Sequence, residues 1–264
     1  MSMRQAASSS GAVRLTLAGP IAHIVFDRPE ARNAMTWTMY EDLRRICGDI
    51  SAAPEIRVAV LRGAGGAFIA GTDIEQFKSF NGAEDGLRYE AFIDAHVGAL
   101  EQLSIPTIAV IDGWAVGGGL AIAAACDFRI ADERAQFGVP ISRTVGNCLS
   151  MSNVARLVAH LGDARVRRML LLAEMLTTDE LVACGFIRLA CGPEALDGLA
   201  HSLAQTLLER APLTIRASKR MLNALHQSAL PSCDELVALC YGSQDFAEGV
   251  SAFVDKRSPR WGGR

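Results

Sequence analysis

The 264-residue sequence contains no run of 18 uninterrupted apolar residues, no paired Cys-x-x-Cys spacing and no excess of positive charge. The first absence argues against a membrane-spanning helix of ordinary length. Seven cysteines (Cys47, Cys126, Cys148, Cys184, Cys191, Cys233 and Cys240) fall at irregular intervals. Without metal-ligand or dithiol spacing they are expected to be buried small apolar groups in a reducing compartment, and no metal site is predicted. A formal charge of -3 and a pI near 6 supply no global basic field. Neither a nucleic-acid backbone nor an anionic membrane is therefore an expected partner. The polar, Ser-rich start lacks the apolar core of a signal peptide, which predicts a cytoplasmic protein with a disordered segment over residues 1–12. Two phosphate-binding signatures are also missing. Ile122 stands where a G-x-G-x-x-G fingerprint would need glycine, and no Gly-Lys-Ser/Thr follows either glycine-rich turn.

Half of the residues are apolar, enough for a large core. Val13 to Leu17 alternates, Gly19-Pro20 punctuates, and Ile21 to Phe26 follows, predicting a β-hairpin. From Thr36 to Ile50 the apolar residues recur at helical spacing, with Thr36 placed as the N-cap. The order then recurs. A strand at Arg57–Arg62 leads to a helix over Leu87–Leu103, and a strand at Thr107–Ile111 leads through Gly117-Gly118-Gly119 into a helix ending near Cys126. Asp127–Ala131 supplies a further strand. Alternation at this spacing predicts an α/β architecture with largely parallel strands. Beyond Pro140 helical patterns dominate, at Met151–Leu161, Ala164–Ala173, Thr178–Cys184, Glu194–Arg210, Leu213–Leu225 and Asp234–Ala252. Phe186–Ala190 is a candidate short strand among them.

Two glycine-bearing turns, Ala67 to Ile74 and Val116 to Leu120, each follow a strand and precede a helix. A helix N-terminus leaves N–H groups unpaired and carries positive partial charge, so two such turns brought together could polarise one carbonyl. Singly, each is also an ordinary tight turn.

The ordered motifs Arg28-Pro29-Glu30-Ala31-Arg32-Asn33-Ala34, Ala67 to Ile74, Asp112 to Gly119, Cys126-Asp127, Ala135 to Gly138 and Gly249 to Arg257 resemble those of the crotonase (enoyl-CoA hydratase/isomerase) superfamily. The resemblance spans about residues 13–257. It implies a crotonase-like spiral of ββα units over residues 13–195, then a helical region over 196–264 that closes the pocket and builds a homotrimer or dimer of trimers. It implies an acyl-CoA thioester as substrate, with CoA arriving as part of it and no separate cofactor. It places an oxyanion hole on the backbone N–H groups of Thr72 and Gly118. Ala31 and Arg32 match positions that hold the CoA nucleotide. Ala70, Asp73 and Ile74 match the acyl-CoA channel, and Phe253 and Lys256 match a segment that closes over the substrate.

Standard hydratases of that family use two glutamates, and the resemblance puts Ala121 and Ile141 at those positions. No Asp or Glu occurs between Glu133 and Asp163, so two-glutamate hydration is not expected. Isomerisation, decarboxylation or atypical hydration by an acyl-CoA lyase or isomerase stays open, as does a catalytically silent acyl-CoA-binding subunit. Alignment of Gly146-Asn147 with the dehalogenase branch puts Cys148 at a nucleophile's position, where it could serve a hydrolase or dehalogenase-like reaction or form a wall. His96, Asp73 and the hydroxyls of Ser142 and Thr144 are the other candidates, with Asp73 equally suited to capping its own turn.

Overall fold

The computed structural model describes residues 11–226, 232 and 234–262. Cys233 and most of the N-terminal segment lie outside them. Nine strands are described: β1 (Ala12–Ala18), β2 (Ile21–Asp27), β3 (Val58–Gly63), β4 (Thr107–Ile111), β5 (Trp114–Val116), β6 (Phe128–Asp132), β7 (Gln136–Gly138), β8 (Met175–Thr177) and β9 (Leu189–Cys191). The helices are α1 (Trp37–Ala52), α2 (Ala83–Glu101), α3 (Gly118–Ala125), α4 (Ile141–Thr144), α5 (Met151–Leu161), α6 (Asp163–Leu171), α7 (Thr178–Ala183), α8 (Leu196–Leu208), α9 (Pro212–His226), α10 (Asp234–Tyr241) and α11 (Gln244–Val254).

The predicted hairpin forms, with Leu15 opposite Ile24. Its second strand then continues in parallel through β3, β4, β6 and β9, giving a six-stranded sheet in the order β1-β2-β3-β4-β6-β9. β4 is buried at every residue, as its unbroken apolar run requires of a parallel strand covered on both faces. On one face Val58, Val60, Ile108 and Val110 pack against Leu196, Ala200 and Leu203 of α8. On the other, Ala59, Leu61, Ala109 and Ile111 join the main core with α1 and α3. Thus α8, which begins at the expected 195/196 boundary, covers the sheet of the α/β core.

β2, β3, β4 and β6 are each followed by a short segment in a second layer. β5, β7 and β8 form a small sheet there, extended by single bridges between Ile69 and Ala115 and between Met35 and Thr72. This is the expected recurrence of strand, second strand and helix. Thr36 caps α1, accepting from Met39 N–H at 3.3 Å.

The apolar pattern predicted one helix over Asp234–Ala252. The structure divides it into α10 and α11, because Ser243 adopts extended backbone and caps the second by accepting from Phe246 N–H at 3.0 Å. α10 lies along α2, and α11 lies over the short 3₁₀ turn Ile74–Ser79. Among the described residues no helix is long and apolar enough to cross a membrane.

Candidate active site

The second layer brings the two glycine turns together. Val116 N–H bonds to Ile69 O at 3.1 Å, and Gly71 Cα lies next to Gly117. Gly71 and Gly117 both have positive φ, 121° and 52°, which a side chain would oppose. At Met35 the chain crosses the first turn as a parallel bridge: Met35 N–H bonds to Gly71 O at 2.8 Å and Asp73 N–H to Met35 O at 2.9 Å. That pattern uses the residues flanking Thr72, so the N–H of Thr72 faces away from the bridge. Gly118 is the first residue of α3, where a helix N–H has no partner within the helix. Neither N–H has a backbone acceptor among the described residues.

Thr72 is fixed from the side. Its hydroxyl lies 2.9 Å from Tyr40 Oη and 3.0 Å from Tyr89 Oη. A methyl group on Gly118 would overlap the Tyr40 hydroxyl and stand 3.1 Å from Thr72 Oγ1, so glycine is what lets α3 begin here.

Thr72 and Gly118 line one cavity of about 140 Å³. Ala121 and Ile141 also line it, and both are apolar. So do Ala70 and Ile74, two of the positions expected along the acyl-CoA channel, and Phe253, expected in the segment that closes over the substrate. Phe253 is half exposed, on α11 at the mouth.

The functional candidate that sequence reasoning missed is Glu90, the one carboxylate among the described lining residues. It is 5% exposed, on α2. Tyr241 Oη donates to its Oε1 at 2.7 Å, and Ser150 N–H donates to Oε2 at 2.7 Å. Burial pushes its pKa up to about 7, against the pull of those two donors, and nearby Asp94 raises it further. Asn147 Nδ2 donates to Tyr241 Oη at 3.0 Å, while Asn147 Oδ1 is buried and has no partner. A sequence signal existed. Gly86, Glu90, Ile93, Val97 and Leu100 are all buried and follow helical spacing, so Glu90 falls in the apolar stripe of α2. Gly86, one turn earlier, is the position where any side chain would overlap the Tyr241 ring.

Of the other candidates, Thr144 alone also lines this cavity. The Cys148 thiol points toward α10, 3.7 Å from Leu236 O and beside Cys240, while its neighbours Asn147 and Leu149 line the cavity. His96 is buried in the core of α2, with Nδ1 2.6 Å from Phe92 O and its ring 3.8 Å from the Phe92 ring. Asp73 caps its own turn through Glu75 N–H at 3.1 Å and pairs with Arg28 at 2.8 Å. The Thr144 hydroxyl donates to Pro140 O at 2.9 Å, and Ser142 is exposed. Ala31 ends a 3₁₀ turn, Arg32 follows in left-handed backbone, and the Arg32 guanidinium lies 5.8 Å from the Trp114 ring centre. Lys256 is exposed just beyond α11.

A family model described as Enoyl-CoA hydratase/isomerase matches residues 17–264. The chain is 30% identical over 244 residues to a short-chain-enoyl-CoA hydratase of Clostridium acetobutylicum, covering 90% of this chain and 93% of that protein. It is 33% identical over 258 residues to an (E)-benzylidenesuccinyl-CoA hydratase of Thauera aromatica, covering 95% and 99%. Among solved structures, a methylmalonyl-CoA decarboxylase in complex with 2-nitronate-propionyl-CoA aligns with a TM-score of 0.87 at 26% identity, over 96% of this chain and 99% of that one.

Proposed function

Because the chain belongs to the enoyl-CoA hydratase/isomerase family, we propose that it is an enzyme of short acyl-CoA thioesters, with the N–H groups of Thr72 and Gly118 as its oxyanion hole. One observation carries this reading: the two residues stand side by side on one cavity, and neither N–H is taken by a backbone acceptor. A thioester carbonyl that gains negative charge there is stabilised by roughly 3 kcal/mol per well-placed donor. The cavity is lined largely by apolar side chains, which suits the acyl end of the thioester rather than the charged CoA nucleotide.

Arg32 and exposed Lys256 are the cations we assign to the phosphates of the CoA nucleotide, with Ala31 beside them. Phe253 and Ile74 are assigned to the channel, and Asp73, held by Arg28, to fixing the turn that carries Thr72. Apolar Ala121 and Ile141 on the cavity support a reaction other than two-glutamate hydration, such as proton transfer next to the thioester carbonyl. The same two residues are what favours the second reading, a silent acyl-CoA-binding subunit. The direction of the Cys148 thiol gives no support to an acyl-cysteine route. Exposed Leu213, Met221, Leu222 and Leu225 on α9 support self-assembly, for which we keep the trimer or dimer of trimers.

The test is a difference infrared spectrum of butyryl-CoA carrying ¹³C at the carbonyl, recorded with binding and with a mass-spectrometric turnover screen of short acyl-CoA thioesters. Binding with a downshifted carbonyl stretch is expected, together with turnover of at least one thioester. Binding without any turnover favours the silent subunit. No binding of any CoA thioester overturns both readings.

A further inference from the structure

We propose that Glu90 is the proton carrier of this cavity, moving a hydrogen between the α-carbon of the bound acyl thioester and the carboxylate. The assignment rests on the acyl-CoA reading above and adds to it the group that does the chemistry.

Elimination within the cavity leads to Glu90. The hydroxyl of Thr72 is bracketed by two phenols, and that of Thr144 is spent on Pro140 O. Tyr89, the other titratable lining residue, has its pKa raised well above 10 by burial, with nearby Tyr40 and Glu90 adding to the rise. Glu90 alone among the described lining residues is a carboxylate, and it is held at both oxygens by donors from two other elements, Tyr241 of α10 and Ser150 at the start of α5. Each carboxylate oxygen retains a lone pair beyond the one so used. Independently, Asn147 Oδ1 is a buried acceptor with no partner in the same wall, which asks for a donor from a ligand.

In the step, the Glu90 carboxylate takes the α-hydrogen as a proton. The C–H electron pair becomes the new carbon–carbon π-bond, and the carbonyl π-pair moves to the oxygen, held as an enolate by the Thr72 and Gly118 N–H groups. Return of the proton to the α-carbon reverses the step. Delivery to the γ-carbon of a β,γ-unsaturated chain shifts the double bond by one position with no net change of atoms or electrons. Tyr241 and Ser150 act as positioning residues. Glu90's pKa near 7 populates both forms around neutrality, as a reversible carrier needs. The titratable groups that face it are Tyr40 of α1, Tyr89 and Asp94 of α2, and Tyr241 of α10, with Asp94 itself facing Arg156.

The experiment is deuterium uptake at C2 of butyryl-CoA in D₂O, read by mass spectrometry, beside the infrared carbonyl shift of the same bound thioester. The unaltered protein is expected to exchange. Glu90→Gln is expected to slow exchange by about 100-fold or more while still binding butyryl-CoA with its carbonyl downshifted, and Glu90→Asp to recover part of the rate. Tyr241→Phe removes a donor to the charged form, so the pH midpoint of exchange should move upward. A downshifted bound carbonyl with no exchange in the unaltered protein overturns the assignment, as does equal exchange in Glu90→Gln. Loss of binding in the unaltered protein overturns the acyl-CoA reading instead, and is seen in the infrared arm before exchange is measured.

Discussion

Replacing Glu90 with glutamine removes a charge and almost no volume, so its effect on stability can be worked out with its sign. In the fold the Glu90 pKa is raised from an ordinary 4.5 to about 7. At 1.36 kcal/mol per unit, the ionised form is disfavoured by about 3 kcal/mol once the pH exceeds both values. Between them the native state holds more protons than the unfolded chain, so stability falls as pH rises from about 4.5 through about 7. The glutamine variant lacks this slope. Its amide accepts from only one of the two donors, Tyr241 Oη and Ser150 N–H, which costs about 1–3 kcal/mol at every pH. The informative quantity is therefore the change in the difference. From pH 5 to pH 8 the variant should gain about 2–3 kcal/mol on the unaltered protein. Urea unfolding of both proteins at pH 5, 6, 7 and 8, at one protein concentration, measures it. A difference that stays constant within about 0.5 kcal/mol over that range would refute the buried, half-titrated carboxylate.

Gly118→Ala places a methyl group on the Tyr40 hydroxyl; it should cost about 1–3 kcal/mol in urea unfolding and abolish the infrared downshift of bound butyryl-CoA. Gly86→Ala drives a methyl group into the Tyr241 ring, and the displaced phenol should raise the pH midpoint of any Glu90-dependent rate. Lys219 donates to Asp127 Oδ2 at 2.6 Å with its side chain 7% exposed, so Lys219→Met should destabilise by about 3–5 kcal/mol, more than removing any exposed pair. Cys148→Ser should leave acyl-CoA turnover unchanged, because the thiol faces α10; a loss beyond about tenfold would restore Cys148 to the chemistry.

The elements that periodicity placed correctly are those whose side-chain pattern and cap are local. The hairpin, α1 with its Thr36 cap, and α5 over Met151–Leu161 all follow from residues within one or two turns of each other. β5, β7 and β8 have three residues each, too few for alternation to register. Their existence depends on partners at 114, 136 and 177 rather than on their own sequence. The division of Asp234–Ala252 follows the same logic in reverse. Apolar spacing continues across the break, and only Gly242, whose added methyl would crowd Ala238 O at 2.7 Å, and the Ser243 cap mark it.

The two turns of the candidate site were legible because glycine is a statement about backbone geometry, and Gly71, Gly117 and Gly118 make theirs within a few residues of the donors they prepare. The carboxylate was not, because its meaning is nonlocal. The absence of Asp and Glu between residues 133 and 163 is real, yet it describes only one wall. Glu90 enters from another helix, and it is defined by Ser150, 60 residues on, and by Tyr241, 151 residues on. A glutamate on an exposed helical face is solvated and silent, whereas the same residue in a buried stripe must be paired or protonated. Its position relative to Gly86, Ile93 and Val97 therefore carries the chemical information, and the type of residue alone does not.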